Sequence, residues 1–359
     1  MKKEYSLLVL MPEIAWGGAE RQFCYLINNI PLKKIIVLCP HSYTKQNNQK
    51  VKVNLDNKNI EVIESEYSIN GKTNEIKYYM QEIRRLLKTN NISTAIVYEA
   101  YGCYLIPYLK WKGIKVIYSE RNSGEGIIES RLLKRFVGKS DVITTNSVNA
   151  QKILQQKYNR DIILVKNGIE TESIEFKKNV KDVSKILVPA RLSKIKNQMV
   201  VLEFLKKCVN YNGSVIFAGK IEDTEYMNEL NKYEISNKLT KTVNFIGFTS
   251  DMESLYQKID MVVLPSFVEG MSNIILECFV RKIPILVSNI EMNTFTDNLK
   301  TWSFNPKSSN DLAELFCRWT NLNIKEKEQV LEENREYVLK EHSLKNMAKE
   351  YYKIIERIS

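Results

Sequence analysis

The sequence predicts an α/β protein made of two domains, and three observations support this prediction. Apolar segments of strand length alternate with helical patterns along the whole chain, which is typical of parallel sheets covered by helices on both faces. The length of 359 residues fits two domains of ordinary size. Turns suited to phosphate binding occur once early and twice late, so we expect a ligand to lie between the two domains.

The individual strands follow from apolar runs that end in turn residues. They are expected near residues 5–11, 34–39, 60–64, 92–98, 114–119, 141–145 and 161–165, and then near 185–190, 213–218, 242–246, 260–264 and 284–288. The tail from Ile324 to Ser359 has a helical pattern throughout.

The segment from Glu269 to Glu277 carries two carboxylates around a turn that becomes a helix. Ser272 or Asn273 is expected to cap this helix, which should run to about Lys282. The first N–H groups of such a helix attract a phosphate, and flanking carboxylates suit the hydroxyls of a sugar. A nucleotide sugar combines both groups. Taken alone, however, a glutamate pair at this spacing is more typical of a solvated helix.

Gly17 and Gly18 lie between the first predicted strand and the first predicted helix. Paired glycines at this position let the backbone approach a ligand closely, and the helix N-terminus favours phosphate. A plain strand-to-helix turn is the alternative interpretation. The spacing differs from the glycine pattern of dinucleotide-binding folds, so NAD is not expected.

Arg191 and Lys196 lie in a basic loop after a strand that ends at Ala190, and a helix begins near Asn197. Two fixed cations can neutralise a diphosphate leaving group as its charge develops. A solvated basic loop is a fair alternative for Lys194 but not for Arg191, which directly follows a strand expected to be buried.

In this order and spacing, the motifs resemble those of retaining glycosyltransferases of the GT-B fold, in particular family 4. The resemblance covers nearly the whole chain by motif order and is strongest over 186–290. The matching motifs are the E-x7-E pair, the Gly-Gly-Ala-Glu-Arg loop, the basic segment with Ala190 and Asn197 in place of glycines, the turn Gly247-Phe248, and Asn167-Gly168 with Lys166 in place of proline.

The resemblance implies two Rossmann-like domains that face each other across a cleft. Residues 1–170 would form the acceptor-binding domain, completed by a C-terminal helix within 343–359 that crosses back to it. Residues 171–342 would form the nucleotide-sugar domain. The candidate for the crossing helix is Leu344–Ile358. A domain pair of this kind closes around its donor, so the hinge near 168–180 should be mobile.

The resemblance also implies roles for particular residues. Arg191 and Lys196 would hold the diphosphate, Glu269 the sugar hydroxyls and Glu277 the nucleotide ribose. Phe248 would lie along the nucleobase, with a core position as the alternative. We name no covalent nucleophile, because departure of the diphosphate can itself guide attack from the same face. The residues expected to add backbone contacts to the donor are Gly17, Gly18, Met271, Ser272 and Asn273.

One departure from the family pattern concerns histidine. Family members commonly carry a histidine after the strand that ends near Tyr118, and this chain has Glu120-Arg121-Asn122 there. The resemblance implies that Glu120 or Arg121 takes over a contact with sugar or acceptor. A salt bridge that holds the loop is the alternative.

The implied activity is metal-independent transfer of a hexose or N-acetylhexosamine from a nucleoside diphosphate sugar, with UDP as the expected nucleotide. The chain has two histidines and no convincing Asp-x-Asp, so no metal and no cofactor are expected. The expected acceptor is a lipid-linked glycan, such as a polyprenyl diphosphate. The alternatives are a protein or teichoic-acid acceptor, a sugar-nucleotide epimerase, and a non-catalytic partner subunit.

The net charge of +11 requires a partner or another reason. No basic face interleaved with aromatic residues appears, so nucleic acid is not expected. An anionic membrane surface fits better, because three segments pair apolar or aromatic residues with cations; ordinary sheet-covering helices are the alternative. These segments are Ile76–Lys88, Tyr104–Lys112 and Ser130–Val137.

The cellular location follows from similar arguments. No apolar run approaches the roughly 20 residues that span a bilayer, and no secretory signal is recognisable. The six cysteines are scattered without metal-binding spacing, which favours buried free thiols in a reducing cytosol. We therefore expect a cytoplasmic protein bound to the inner face of a bacterial plasma membrane.

Overall fold

The computed structural model describes residues 6–12, 14, 17–41, 55, 57–65, 69–98, 100–121, 124–171, 174, 182–208 and 211–359. The chain forms two compact units. Unit 1 comprises Met1–Ile169 and His342–Ser359, and unit 2 comprises Glu170–Glu341. The expected hinge near 168–180 falls largely on residues outside the described part of the chain.

Within its described residues, unit 1 contains a seven-stranded parallel sheet in the order β3-β2-β1-β4-β5-β6-β7. Its strands are β1 Ser6–Leu10, β2 Ile35–Cys39, β3 Ile60–Glu64, β4 Ile92–Tyr98, β5 Lys115–Glu120, β6 Val142–Thr145 and β7 Ile163–Leu164. The central strands are buried on both faces, as their continuous apolar sequences require.

Helices cover both faces of this sheet. They are α1 Gly18–Asn29, α2 Lys72–Thr89, α3 Ile106–Trp111, α4 Glu125–Glu129, α5 Arg131–Val137 and α6 Val148–Tyr158, with a 3₁₀ turn at Ala100–Leu105. Successive side chains of β1 alternate between the faces: Leu7 and Val9 pack with α1, whereas Leu8 and Leu10 pack with α2.

Unit 2 contains, in its described part, a six-stranded parallel sheet in the order β10-β9-β8-β11-β12-β13. Its strands are β8 Lys185–Pro189, β9 Ser214–Ala218, β10 Val243–Gly247, β11 Met261–Leu264, β12 Ile285–Ser288 and β13 Ser303–Phe304. Its helices are α7 Met199–Lys207, α8 Thr224–Ser236, α9 Met252–Lys258, α10 Asn273–Val280, α11 Asp297–Thr301, α12 Ser309–Asn321 and α13 Ile324–Glu341, with a 3₁₀ turn at Lys194–Lys196.

The last helix, α14 Leu344–Ile358, belongs to unit 1 and packs against α1. Ser343 caps it by accepting a hydrogen bond from the backbone N–H of Asn346. The chain enters this helix beside the end of the first segment of unit 1, where the Ile169 N–H donates to the His342 carbonyl at 2.8 Å. Gly168 packs closely there, because an added Cβ would lie 3.1 Å from the Leu344 Cα.

The predicted α/β fold class is confirmed, and each predicted strand is present. Three details differ from the sequence-based expectation. The short strand β13 was missed, because no run of apolar residues marks it, whereas the equally short β7 lies within such a run. The tail breaks at His342 and Ser343 between two helices. The helix that follows Ser272 ends at Val280, and Lys282 has a left-handed backbone with φ of 54°. Among the described residues, no helix is both long and apolar enough to cross a membrane.

Candidate functional site

The candidate site of unit 2 lies at the carboxyl ends of its two central strands. β8 and β11 are neighbours, although β9 and β10 intervene in sequence and lie on the other side of β8. The strand order therefore reverses between β8 and β11. In open parallel sheets, this reversal leaves a crevice at the carboxyl edge where ligands bind. Arg191 follows β8, and the segment that contains Glu269 follows β11.

The basic segment after β8 carries one exposed and one half-buried cation of interest. The exposed Arg191 guanidinium pairs with Glu222 at 2.5 Å. Lys196, at the end of the 3₁₀ turn, is only 17% exposed and lies 2.8 Å from a carboxylate oxygen of Glu269. The neighbouring Lys194 is 59% exposed and pairs with Glu229. The structure thus brings Lys196 and Glu269 together and directs Lys194 away from that pair.

Buried hydroxyl and amide groups fix the loop that carries Glu269. The Ser266 hydroxyl donates to the same Glu269 oxygen at 2.6 Å, and the Ser266 carbonyl accepts from the Ser288 hydroxyl at 2.6 Å. The Asn293 amide donates in turn to the Ser288 hydroxyl at 3.0 Å. Ser266, Ser288 and Asn293 are fully buried, so this network holds the carboxylate in place. No local sequence pattern marks Ser288 or Asn293 as part of the site.

The start of α10 offers backbone donors beside this loop. Ser272 occupies the N-cap position, and its side chain makes no cap hydrogen bond with the helix. Met271 and Asn273 are half-buried and Ser272 is buried. The positive end of the helix dipole and its first N–H groups suit an anion at this position.

Glu277 lies on α10 and is buried, with 6% of its surface exposed. It accepts a hydrogen bond of 2.5 Å from the Tyr256 hydroxyl of α9. The structure therefore places Glu277 in a packed polar contact. Sequence reasoning missed Tyr256, because nothing in its local sequence marks it as a partner of α10.

Phe248 follows β10 and is 47% exposed. The alternative that it is a core aromatic is therefore wrong. The partly buried Phe245 packs against the core instead and stacks on Phe217 with ring centroids 4.8 Å apart. The preceding Gly247 has a left-handed backbone with φ of 70°, which turns the chain away from the strand.

The glycine pair lies in unit 1 at the start of α1. Gly17 is the N-cap residue and Gly18 is the first residue of the helix. A Cβ added to Gly17 would lie 1.9 Å from a carboxylate oxygen of Glu20. The glycine therefore leaves room for that carboxylate directly against the backbone.

Arg121 is buried beyond β5, where its guanidinium contacts three neutral acceptors. It donates to the Ser119 hydroxyl at 3.2 Å, the Asn167 amide oxygen at 3.1 Å and the Tyr351 hydroxyl at 2.9 Å. Its guanidinium also lies 5.8 Å from the centre of the Tyr351 ring. These contacts join β5, the turn at Asn167 and α14, so the structure gives Arg121 a role in holding unit 1 together.

The structure describes only one of the two neighbours of Arg121, Glu120 and Asn122. Glu120 is buried and accepts from the Tyr118 hydroxyl at 2.9 Å, whereas Asn122 lies outside the described residues. A contact of this segment with sugar or acceptor stays a prediction.

The cysteines and acidic groups give little sign of metal chemistry. All six thiols are free; Cys208 is half-buried and Cys317 is exposed, which corrects the expectation that the thiols are uniformly buried. Burial raises the pKa of the Cys278 thiol well above its ordinary value. Among the described residues, no group of three histidine, cysteine or acidic side chains is placed to hold a metal ion.

The fold defines an α/β protein of two parallel-sheet units, and the candidate site for an anion lies after the central strands of unit 2. Residues 170–337 match the family model Glycosyl transferases group 1. This part of the chain is therefore similar to that family, and the match together with the glycosyltransferase relatives supports a transferase.

Three known proteins illustrate the relationship. Protein CapJ of Staphylococcus aureus is 28% identical over 52% of this chain and 48% of its own. The UDP-Gal:alpha-D-GlcNAc-diphosphoundecaprenol alpha-1,3-galactosyltransferase of Escherichia coli is 36% identical over 20% of this chain and 19% of its own. The chain thus spans less than half the length of these curated relatives. The structure of Anabaena HepE in complex with UDP-glucose has a TM-score of 0.80 at 13% identity and covers 98% of this chain and 99% of its own, which shows the shared fold.

Asn197 supports the basic segment and generates the first prediction. Its backbone is left-handed with φ of 55°, and its buried amide donates to the carbonyls of Pro265 and Pro306. Asn197→Gly and Asn197→Ala both lose these bonds, which should cost about 1–3 kcal/mol. The alanine variant should be less stable by about 1 kcal/mol more, because a Cβ strains the left-handed backbone. Urea unfolding measures the difference.

Lys238 provides the matched control. It has the same left-handed backbone, with φ of 57°, at an exposed position. Lys238→Gly should leave stability unchanged or raise it. Equal stability of Asn197→Gly and the wild-type protein would show that the amide contacts do not hold the segment.

Proposed function

We propose that the protein is a retaining glycosyltransferase that moves a hexose or N-acetylhexosamine from a UDP-sugar to a lipid-linked glycan. The observation that carries this proposal is the Lys196–Glu269 pair at the switch point of unit 2, with Arg191 and the start of α10 on the same two loops. Cations and helix N–H groups suit a diphosphate, and the carboxylate suits the hydroxyls of the attached sugar.

The names of the relatives support the choice of donor and acceptor. The Escherichia coli relative is named for UDP-galactose and for an acceptor linked to diphosphoundecaprenol, and the Anabaena structure holds UDP-glucose. A UDP-sugar and a polyprenyl-diphosphate glycan are therefore the substrates proposed for this chain.

The proposed chemistry is electrostatic. As the bond between the anomeric carbon and the diphosphate breaks, negative charge develops on the leaving oxygen, and Arg191 and Lys196 stabilise it. The acceptor hydroxyl then attacks the anomeric carbon from the face that the diphosphate leaves and passes its proton to the departing diphosphate oxygen, which retains the configuration. Because these cations and the helix N-terminus carry the charge balance, the reaction proposed here requires no metal ion.

Arg191 and Lys196, here called the diphosphate clamp, provide the test of this function. Arg191→Ala and Lys196→Ala should each lower turnover of a UDP-sugar by about 10²- to 10³-fold, as loss of an oxyanion donor does. Release of UDP, with and without a lipid-linked acceptor, measures turnover, and thermal unfolding shows whether each variant folds.

Lys194→Ala is the matched control, because Lys194 lies in the same segment but pairs with Glu229 on the exposed surface. It should retain turnover within about threefold, since surface ion pairs contribute little. Activity should persist in excess chelator. Near-normal turnover of both clamp variants, or loss of activity in chelator with rescue by magnesium, would contradict the proposed charge balance.

The two glutamates should separate kinetically. Glu277→Gln weakens a ribose contact that changes little during reaction, so it should raise the donor KM by about 10- to 100-fold and spare turnover. Glu269→Gln affects the transferred sugar and should lower turnover as well. Donor saturation curves distinguish the two effects, and thermal unfolding accounts for the lost Tyr256 contact. Wild-type kinetics in both variants would show that neither Glu269 nor Glu277 contributes to donor binding or turnover.

We also propose that unit 1 binds an anionic membrane surface through α3 and α5. Trp111 is 75% exposed and Leu132 is 48% exposed on these neighbouring helices. The Lys112 ammonium lies 4.2 Å from the centre of the Trp111 ring, and Arg131 and Arg135 are exposed on α5. Exposed apolar side chains among cations suit the boundary between lipid headgroups and acyl chains.

The third basic segment, on α2, takes a different role. Tyr79, Ile83 and Leu86 are buried in the core of unit 1, so its apolar face covers the sheet and the alternative interpretation is right for this helix. The proposed location at the inner face of the plasma membrane therefore depends on α3 and α5.

Vesicle flotation tests this surface. The double variant Trp111→Ser/Leu132→Ser should bind phosphatidylglycerol vesicles about 10- to 100-fold more weakly, because each buried apolar side chain contributes about 1.5–3 kcal/mol when fully inserted. Ile235→Ser removes a side chain of unit 2 that is 67% exposed and should leave binding unchanged. Equal binding of the double variant and the wild-type protein would exclude this surface.

A further inference from the structure

A chain of polar contacts joins α9 to α10 behind the candidate site. The Arg281 guanidinium donates to the carboxylate of Glu253 from Nε at 3.1 Å and from Nη2 at 2.5 Å. From Nη1 it donates to the Glu277 carbonyl at 3.0 Å. Burial opposes the charge of this guanidinium, but the Glu253 hydrogen bonds together with the charges of Glu253 and Glu277 outweigh burial and raise the pKa of Arg281. Arg281 is therefore a fixed cation at the end of α10.

This cation fixes Tyr256. The Arg281 guanidinium lies 4.9 Å from the centre of the Tyr256 ring, within the range of a cation–π interaction. Tyr256 is 2% exposed, so its ring has little room to rotate. Its hydroxyl is consequently delivered to one position, 2.5 Å from Oε2 of Glu277.

A hydrogen bond from a fixed donor gives a carboxylate a defined orientation. Glu277 can rotate about its terminal bonds, and the phenol hydrogen bond to one oxygen restricts that rotation. A carboxylate has about four acceptor positions, so it can accept from the phenol and from other groups at the same time. Two adjacent hydroxyls of a ribose require such a fixed carboxylate, because both hydrogen bonds depend on its plane.

We propose that Tyr256 is a positioning residue for nucleotide recognition, which orients the Glu277 carboxylate toward the ribose hydroxyls of the donor. This inference rests on the proposed function. Glu253 and Arg281 hold the Tyr256 ring, and the Tyr256 hydroxyl holds the carboxylate. Tyr256 itself does not contact the donor.

A purely structural role for Tyr256 makes a different prediction. If its hydroxyl only ties α9 to α10, its removal lowers stability and affects all nucleotides alike. If it orients Glu277, its removal weakens only nucleotides that carry ribose hydroxyls. Tyr256→Phe keeps the ring and its contact with Arg281, so the variant isolates the hydroxyl.

The experiment compares UDP with 2′,3′-dideoxy-UDP by calorimetric titration of the full chain. The wild-type protein should bind UDP about 10- to 100-fold more tightly than the dideoxy analogue, as loss of a charge-assisted contact requires. In Tyr256→Phe, this ratio should fall at least fivefold, while the affinity for the analogue stays within twofold of wild type.

Tyr211→Phe is the matched control. Its hydroxyl donates to the carbonyls of Ser184 and Ser214, at the amino ends of β8 and β9 and therefore at the opposite edge of the sheet. This variant also loses hydroxyl hydrogen bonds, but it should keep the wild-type ratio.

The outcomes separate the inference from the proposed function. An unchanged ratio in Tyr256→Phe, with strong discrimination by the wild-type protein, would overturn the positioning role and leave the donor assignment intact. Equal binding of UDP and its analogue by the wild-type protein would overturn the ribose role of Glu277 and this inference with it. Absence of UDP binding would overturn both proposals.

Discussion

The ion pair between Lys196 and Glu269 is the interaction on which the candidate site depends. Its two side chains come from loops after different strands, β8 and β11, and only the parallel sheet brings those loops to one edge. The pair is mostly shielded from water, so separating its charges costs more than in an exposed pair. The buried network through Ser266 and Ser288 holds the acidic partner. The basic partner is held by a 3₁₀ turn whose end is anchored by Asn197. The sheet topology and the hydrogen bonds of the two loops thus bring the two charged side chains together.

In unit 1 the corresponding constraint is the burial of Arg121. A guanidinium out of contact with water requires several acceptors, and three separate parts of the chain supply them. One of these acceptors is Tyr351 of α14, which also exchanges hydrogen bonds with Ser119 and Thr144. The C-terminal helix is therefore part of the polar core of unit 1 as well as its apolar core. This explains why a helix that follows unit 2 in sequence belongs to the first unit.

The sequence predicts those features that depend on local pattern. Continuous apolar runs located the strands, and the spacing of Arg191, Lys196 and Glu269 located the edge at which these residues lie. The sequence does not predict contacts that depend on how helices pack. Tyr256 and Glu277 are 21 positions apart on different helices, and their hydrogen bond requires the packing of α9 beside α10. The neighbours of Arg121 likewise come from distant segments, so its burial could not be read from the Glu120-Arg121-Asn122 motif. The strand β13 was not predicted, because no run of apolar residues marks it.

The ion pairs of the site determine how its cations can bind a ligand. In the structure, Arg191 pairs with Glu222 and Lys196 pairs with Glu269, so each cation already has a carboxylate partner. An incoming diphosphate must compete with both carboxylates. The Arg191 pair is largely exposed and therefore weak, because water screens it. The Lys196 pair is shielded and stronger, but its carboxylate gains new donors when sugar hydroxyls arrive. On the proposed function, the changes of partner at Lys196 and Glu269 are therefore coupled. Lys196 binds the diphosphate as Glu269 accepts hydrogen bonds from the sugar hydroxyls. A free nucleotide provides a new partner for Lys196 but none for Glu269. The site should therefore bind a nucleotide sugar more tightly than a free nucleotide.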